Sequence, residues 1–223
     1  IGRVMGDVEK AVRYIHSVLH EKTAEKRLLG VGVLPRDDAL RLCAVGPVAR
    51  GSGVKVDIRW DDPYAAYADL RKDFSVVVRS DGDVMSRAEV RVLETLESAH
   101  IVKAILERLP NGPISQPGNI LALMRKIPVG ETVSRVEAPR GELIHYVRTN
   151  GNSGVERLKI RSPTLANLAT LKTMLVGSEI ADVPVIVASI DPCISCAERL
   201  TVVNAYTNES NIVDAWELRR RRT

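Results

Sequence analysis

Residues able to do chemistry gather near one end of the sequence. In "SIDPCISCAERL", Ser189 to Leu200, Cys193 and Cys196 stand three apart, Asp191 and Pro192 precede them, and Arg199 follows. A zinc half-site, a redox dithiol and a nickel–iron thiolate pair all use C-x-x-C, so the spacing leaves three chemistries open. A structural zinc site needs four ligands. Cys43 has no cysteine partner and falls in a predicted helix, where a free buried thiol is the expected state. The histidines are His16, His20, His100 and His145. His16 and His20 stand at i, i+4 on one predicted helix, a spacing that can hold a metal. No H-E-x-x-H carboxylate lies between them, and a solvent-facing pair is the expectation. The dithiol reading wants the motif at a helix start in a β-α-β unit, which the surroundings of Cys193 lack. A thiolate pair completed from elsewhere also remains, and soft thiolates suit nickel and low-spin iron.

Composition narrows the classes. A length of 223 residues suits one domain or two small ones. Three cysteines are too few, and an odd number, for a secreted disulfide framework, which points to a reduced, cytoplasmic compartment. The net charge of +4 owes much to Arg219–Arg222 at the very end, a tip that is ordinarily just solvated. Aromatics are only 4% and none interleaves with a basic run, so the stacking platforms of single-strand binders are missing and no nucleic-acid partner is expected. No apolar run approaches the ~20 residues of a membrane span, and no signal peptide is visible. The chain begins with Ile1 and Met5 is a poor natural start, so the front of a longer protein is expected to precede it.

The pattern of elements predicts a mainly helical α+β protein with a small antiparallel sheet. Met5 to Arg27 reads as one helix, with Val8, Val12, Ile15, Val18 and Leu19 on one face. Gly30 and Gly32 make a turn, and Pro35 with Asp37 and Asp38 opens a short helix. "VGPVARGSGVKVD" reads as a loop, Val54 to Ile58 and Phe74 to Val78 as short strands, and Asp62-Pro63 as a helix start. Asp81-Gly82-Asp83 caps the longest helix, Val84 to Leu109. Arg87, Arg91 and Glu94 share one face of it and read as a solvated ionic stripe. A shorter helix covers Gly118 to Lys126. Val133 to Arg161 reads strand, turn, strand, Gly-rich loop, strand, with Asn150-Gly151 as a hairpin signal. Pro163 opens a helix through Leu175, and an apolar run, Val183 to Ile190, leads to Asp191.

"SIDPCISCAER" resembles the carboxyl-terminal signature of nickel–iron hydrogenase large subunits, in the Arg199 form of the membrane-bound, energy-converting branch that includes formate hydrogenlyase and the Ech-type enzymes. "VEAPRGELIHY", Val136 to Tyr146, is similar to a second motif of that family. "GPVARGSGVKVDIRWDDPYAAY", "RAEVRVLETLESA" and "RLKIRSPTLANL" look like the region shared with the homologous subunit of complex I. The resemblance covers nearly the whole chain. It implies a helical bundle with a small antiparallel sheet, as in hydrogenase large subunits, and a nickel–iron centre whose iron carries cyanide and carbon monoxide. Cys193 would be a terminal nickel ligand and the base that takes a proton from dihydrogen, and Cys196 would bridge the metals. Arg140 would be the fixed cation over them, because a guanidinium does not deprotonate in proteins. Pro139 would shape the same wall and Asp191 would orient the arginine. Glu137 is a weaker candidate for a proton relay, its expected role being to hold the backbone or an arginine. His145 stands where hydrogenases carry a histidine.

The implied partners are an iron–sulfur small subunit, membrane subunits, and an endopeptidase cutting after Arg199. Residues 1–199 would be the large-subunit core and 200–223 a removable extension, peripheral on the cytoplasmic face of the membrane. The family pattern also demands a second C-x-x-C near its amino terminus, which this sequence lacks. The rival expectation is therefore a nickel-free homologue of the complex I subunit, part of an NADH-quinone oxidoreductase that binds quinone and NAD. A non-catalytic scaffold fragment is the third.

Overall fold

The computed structural model describes residues 1–113, 127–152, 154–197, 199–214, 217 and 220. The predicted helix Gly118–Lys126 lies outside them. The architecture is the expected one, helices with a small antiparallel sheet.

The longest helix organises the rest. We label the helices α1 (Gly2–Leu19), α2 (Lys22–Leu28), α3 (Arg36–Arg41), α4 (Gly46–Gly51), α5 (Ile58–Asp61) and α6 (Val84–Arg108). Asp83 starts α6 as expected: its Oδ1 accepts from Ser86 N at 2.8 Å and its Oδ2 from Gly30 N at 2.8 Å. One buried carboxylate thus caps the helix and holds the preceding glycine turn. Gly82 has φ +70° and a β-carbon there would meet Leu34 O at 2.3 Å, so only glycine fits.

Past α6 come β1 (Val129–Ala138), β2 (Gly141–Asn150) and β3 (Val155–Arg161), an antiparallel sheet in that order. Ala138 pairs with Gly141 around the two-residue turn Pro139-Arg140. Most of β1 is exposed, and burial sets in at its last three residues. The hairpin is an arm whose tip enters the protein. Then follow α7 (Pro163–Leu168), α8 (Leu171–Leu175), α9 (Val183–Ser189), and a tail hairpin of β4 (Arg199–Val203) with β5 (Ser210–Asp214).

The main core joins α4, the start of α6, α8 and α9 through Leu34, Val48, Val84, Met174, Ile186 and Ile190. A second cluster sets Leu70 and Phe74 against Ile101 and Ala104 of α6, with Trp60 edge-on to Phe74 at 5.6 Å.

Several local expectations need correction. The helix expected over Met5–Arg27 breaks at His20-Glu21, where no breaker residue stands: Glu21 is extended, and α1 and α2 then each pack on α6. Of its apolar face only Val12 is buried, while Ile15 and Val18 are exposed. The glycines of "GPVARG" serve helix packing, not a loop: Pro47 sits in the first turn of α4, and a β-carbon on Gly51 would lie 3.0 Å from Arg87 Cγ. Val54–Asp57 and Phe74–Val78 are extended but pair with no strand, so neither is β-structure. No helix follows Asp62-Pro63, since Ala65 at φ +50° diverts the chain into successive turns. Pro163–Leu175 is two helices, divided where Thr170 N and Oγ1 both bond Asn167 O. Cys43 lies just past α3 and is exposed, not buried in a helix. The ionic stripe of α6 is not solvated: Arg87 is 0% exposed.

Candidate active site

Cys193 and Cys196 lie on a single 3₁₀ turn, with Cys196 N donating to Cys193 O at 3.0 Å. Cys193 caps the turn from extended backbone, and a hydrogen bond between the two thiols brings both sulfurs together. Both cysteines are half-buried, while Ile194 and Ser195 between them are exposed. Cys193 N also donates to Thr164 Oγ1 at 3.2 Å, tying the turn to the first residues of α7. Hydrogen bonds from Cys196, side chain then backbone, hold the Cys193 thiol below its usual range, and the positive charge of Arg140 adds to them.

Arg140 comes from the tip of the β1–β2 arm. Its Nε donates to Asp191 O at 2.6 Å and its Nη2 to Asp191 Oδ1 at 3.1 Å. Asp191 adopts φ +52°, a left-handed conformation that aspartate tolerates better than most residues and that presents both its oxygens to Arg140. The arm is seated by Asn167, fully buried in α7. Its Oδ1 accepts from Val45 N at 3.0 Å, and its Nδ2 donates to Val45 O at 3.2 Å and Arg140 O at 3.3 Å.

Glu137, Pro139 and Asp191 line one cleft of about 380 Å³, together with Arg50 of α4 and Arg91 and Glu94 of α6. The tertiary structure thus brings together residues singled out from distant sequence segments. Glu137 performs the holding role: Oε1 accepts from Arg50 Nη1 at 2.9 Å and Oε2 from Ile58 N at 3.1 Å. Burial raises its pKa, against the lowering effect of Arg50. Arg50 is itself 1% exposed. Burial works against its charge, but Glu94, Glu137 and Asp57 outweigh it and raise its pKa. Its Nε lies 2.5 Å from Glu94 Oε1 without hydrogen-bond alignment, so this contact is an ion pair rather than a directed bond. Asp57 in turn accepts from Arg59 Nη2 at 2.6 Å.

Arg91 borders the cleft with Nη1 donating to Arg87 O at 3.1 Å, while its buried Nε and Nη2 have no hydrogen-bond partner among the described residues. Burial lowers its pKa. Arg87 uses neutral acceptors only: Ser189 Oγ, Gly82 O and Gly32 O at 2.8, 2.6 and 2.9 Å. Burial, then Arg91, push its pKa down to about 10. His145 pairs with Ser134 and Ile160 in the middle of β2 and does not line the cleft.

Arg50, Thr164 and Asn167 draw no reading from the sequence, and Arg91 and Glu94 read there only as part of a solvated stripe. The three-and-four spacing along α6 was a usable signal, but charge alone favours a solvent-facing reading. Asn167, a lone amide in "PTLANL", carries no pattern at all.

As a metal cradle this donor set fits in part. Two neighbouring sulfurs, one with a depressed thiol pKa, and a fixed cation from Arg140 suit a soft metal. They supply half of a four-thiolate set. Cys43, the remaining cysteine, is exposed beyond α3.

The family model for the respiratory-chain NADH dehydrogenase 49 kDa subunit matches residues 1–199. The carbon monoxide-induced hydrogenase of Rhodospirillum rubrum is 47% identical over 78% of this chain and 46% of its own length. The membrane-bound hydrogenase subunit alpha of Pyrococcus furiosus is 42% identical over 83% of this chain and 45% of its own length. An NADH-quinone oxidoreductase subunit of Dehalococcoides mccartyi is 42% identical over 74% of this chain and 44% of its own length. The chain thus spans somewhat less than half of these relatives, and it belongs to the family of the respiratory-chain NADH dehydrogenase 49 kDa subunit.

Proposed function

We infer that the chain is part of the catalytic large subunit of an energy-converting nickel–iron hydrogenase, with the reaction 2H⁺ + 2e⁻ ⇌ H₂. The observation that carries this reading is the pairing of two hydrogen-bonded thiols with an arginine held by the aspartate just before them. Similarity to hydrogenase subunits supports it.

Cys193 and Cys196 would hold a nickel–iron pair whose iron bears cyanide and carbon monoxide. When bound, that centre supplies an acceptor for the electron pair of dihydrogen. Cys193 Sγ takes or gives the proton, its thiol pKa being lowered by Cys196 and by the charge of Arg140. Arg140 holds a fixed positive charge beside the sulfurs, and Asp191 keeps the guanidinium from turning away. Pro139 fixes the tip of the arm, and Glu137 anchors its last turn through Arg50. The remaining ligands, the iron–sulfur subunit that delivers electrons, and the membrane subunits belong to the rest of the assembly. No helix among the described residues is long and apolar enough to cross a membrane, and the reading places this chain peripherally on the cytoplasmic face. The bond Arg199–Leu200, where a maturation endopeptidase would cut to release residues 200–223, lies inside β4. Cleavage would then require β4 to leave β5.

The second reading, a nickel-free quinone oxidoreductase subunit, is favoured by the family model that matches residues 1–199. Metal analysis of the full-length subunit in its purified complex separates the two. The hydrogenase reading expects nickel near one per subunit, dihydrogen evolution, and loss of both in Cys193→Ser and Cys196→Ser. A nickel-free complex that reduces quinone would establish the second.

A further inference from the structure

The geometry points to a second metal site on this chain: His16, His20 and Glu89 form a three-ligand pocket for a zinc-class divalent cation that staples α1 to α6. The ligand atoms of these residues all lie within 4.8 Å of one another. One imidazole comes from the last turn of α1 and the other from its C-cap residue, centroids 4.7 Å apart, and the carboxylate comes from α6. His20 Nε2 already lies 2.9 Å from Glu89 Oε1. Around a tetrahedral zinc with bonds of roughly 2.0–2.2 Å, ligand atoms stand about 3.4 Å apart, so side-chain rotation of on the order of 1 Å closes the set.

The surroundings match what metal-bound histidines and carboxylates require. His20 Nδ1 faces Glu25 at 3.6 Å, so the second ring nitrogen has a carboxylate to fix its tautomer while Nε2 faces the metal. Glu89 Oε2 is held by Arg79 Nε, which leaves Oε1 for the cation and orients it. Two imidazoles with one carboxylate favour zinc, nickel, copper or iron over magnesium or calcium, which prefer all-oxygen shells. The site is half open, with His20 exposed, so water would complete the coordination.

A staple here has a structural purpose. Val12 is the one buried residue of α1 among those described, and Ile15 and Val18 of its apolar face are exposed, so a metal link would add to the Glu9–Lys103 ion pair that already ties α1 to α6. Glu89 lies between Arg87 and Arg91 in α6, the helix that borders the cleft. Fixing α1 to that helix stiffens one wall of the candidate active site without touching its chemistry. The site stands whether or not the cysteine pair carries nickel.

The test uses the full-length subunit in its complex, stripped with chelator and dialysed against zinc. Zinc is counted by mass spectrometry separately from nickel and iron. One zinc per subunit is expected in wild type. His16→Ala and His20→Ala should each lose it, Glu89→Gln should bind at least tenfold more weakly, and His100→Ala should retain it. His16 makes no ion pair among the described contacts, so His16→Ala should keep the wild-type circular dichroism. Zinc should slow amide exchange in α1 of wild type and leave His16→Ala unchanged. Equal zinc in wild type and the His16/His20 double variant, no zinc in wild type, or α1 exchange indifferent to zinc would each reduce the cluster to an ion pair and overturn the assignment.

Discussion

Gly46 and Gly141 meet backbone to backbone. A β-carbon on Gly46 would lie 2.4 Å from Gly141 Cα, and one on Gly141 would lie 2.6 Å from Gly46 N. Both have positive φ, +63° and +124°. The tip of the β1–β2 arm can therefore reach the start of α4 only if neither residue carries a side chain, and this contact sets where Arg140 stands. Gly46→Ala or Gly141→Ala should destabilise the protein by about 3 kcal/mol or more, because backbone cannot yield as a side chain can. Denaturant unfolding of the full-length subunit checks this. A change under about 1 kcal/mol would mean the arm can lift away.

Asn167 secures the same junction by hydrogen bonds. Asn167→Ala leaves Val45 N, Val45 O and Arg140 O without their partner. At about 1–3 kcal/mol per unsatisfied buried group, partly relieved by water, a loss of about 3 kcal/mol is expected. Asn167→Asp keeps an acceptor for Val45 N but turns a charge toward two carbonyls, so it should recover little. Parallel unfolding curves of the two variants provide the comparison.

Arg140 and Asp191 should not be equally sensitive. The 2.6 Å bond from Arg140 goes to the backbone carbonyl of Asp191, which substitution leaves in place. Asp191→Asn, which keeps a side-chain acceptor, should lower turnover about tenfold or less. Arg140→Lys retains charge but loses the planar grip, and should lower it by about 100-fold. Turnover of the assembled complex, with protein-bound metal measured alongside, tests the ranking. Equal losses would show that the Asp191 carboxylate matters as much as the arginine.

Glu137 gives a pH dependence with a definite sign. Its pKa in the fold is raised above the ordinary 4.5, chiefly by burial. The folded state therefore holds this proton more tightly than the unfolded chain. Below 4.5 the group is protonated in both states and costs nothing; as pH rises past that value, its ionisation lowers stability until the folded pKa is passed. Glu137→Gln should flatten that fall, so variant minus wild-type stability grows with pH from about 4.5 upward. Arg50 keeps Asp57 and Glu94 as neighbours, so the variant should still fold. Unfolding free energies from mildly acidic to neutral pH test it, and a difference that shrinks with pH would mean that Arg50 outweighs burial.

Features that depend on near neighbours along the chain were legible from the residues alone. Asp83 caps α6 because its carboxylate reaches only a few residues along the chain, and Cys193 and Cys196 share a side of their turn because three residues of chain put them there. Turn chemistry at Asn150-Gly151 was local for the same reason, and the residues of the "EAPRG" and "DPC" motifs were legible as sets. What those sets meet depends on how the distant segments fold together. The solvated reading of Arg87 and Arg91 failed because burial depends on which element covers a helix face, and α4 and α9 arrive from far away in sequence. "GPVARG" looked like a loop because glycine serves flexible turns and tight packing alike, and only the approach of Gly51 to Arg87 separates them. The grip of Arg140 on Asp191 and the meeting of His16 and His20 with Glu89 join segments dozens of residues apart, and no periodicity along one chain encodes such distances.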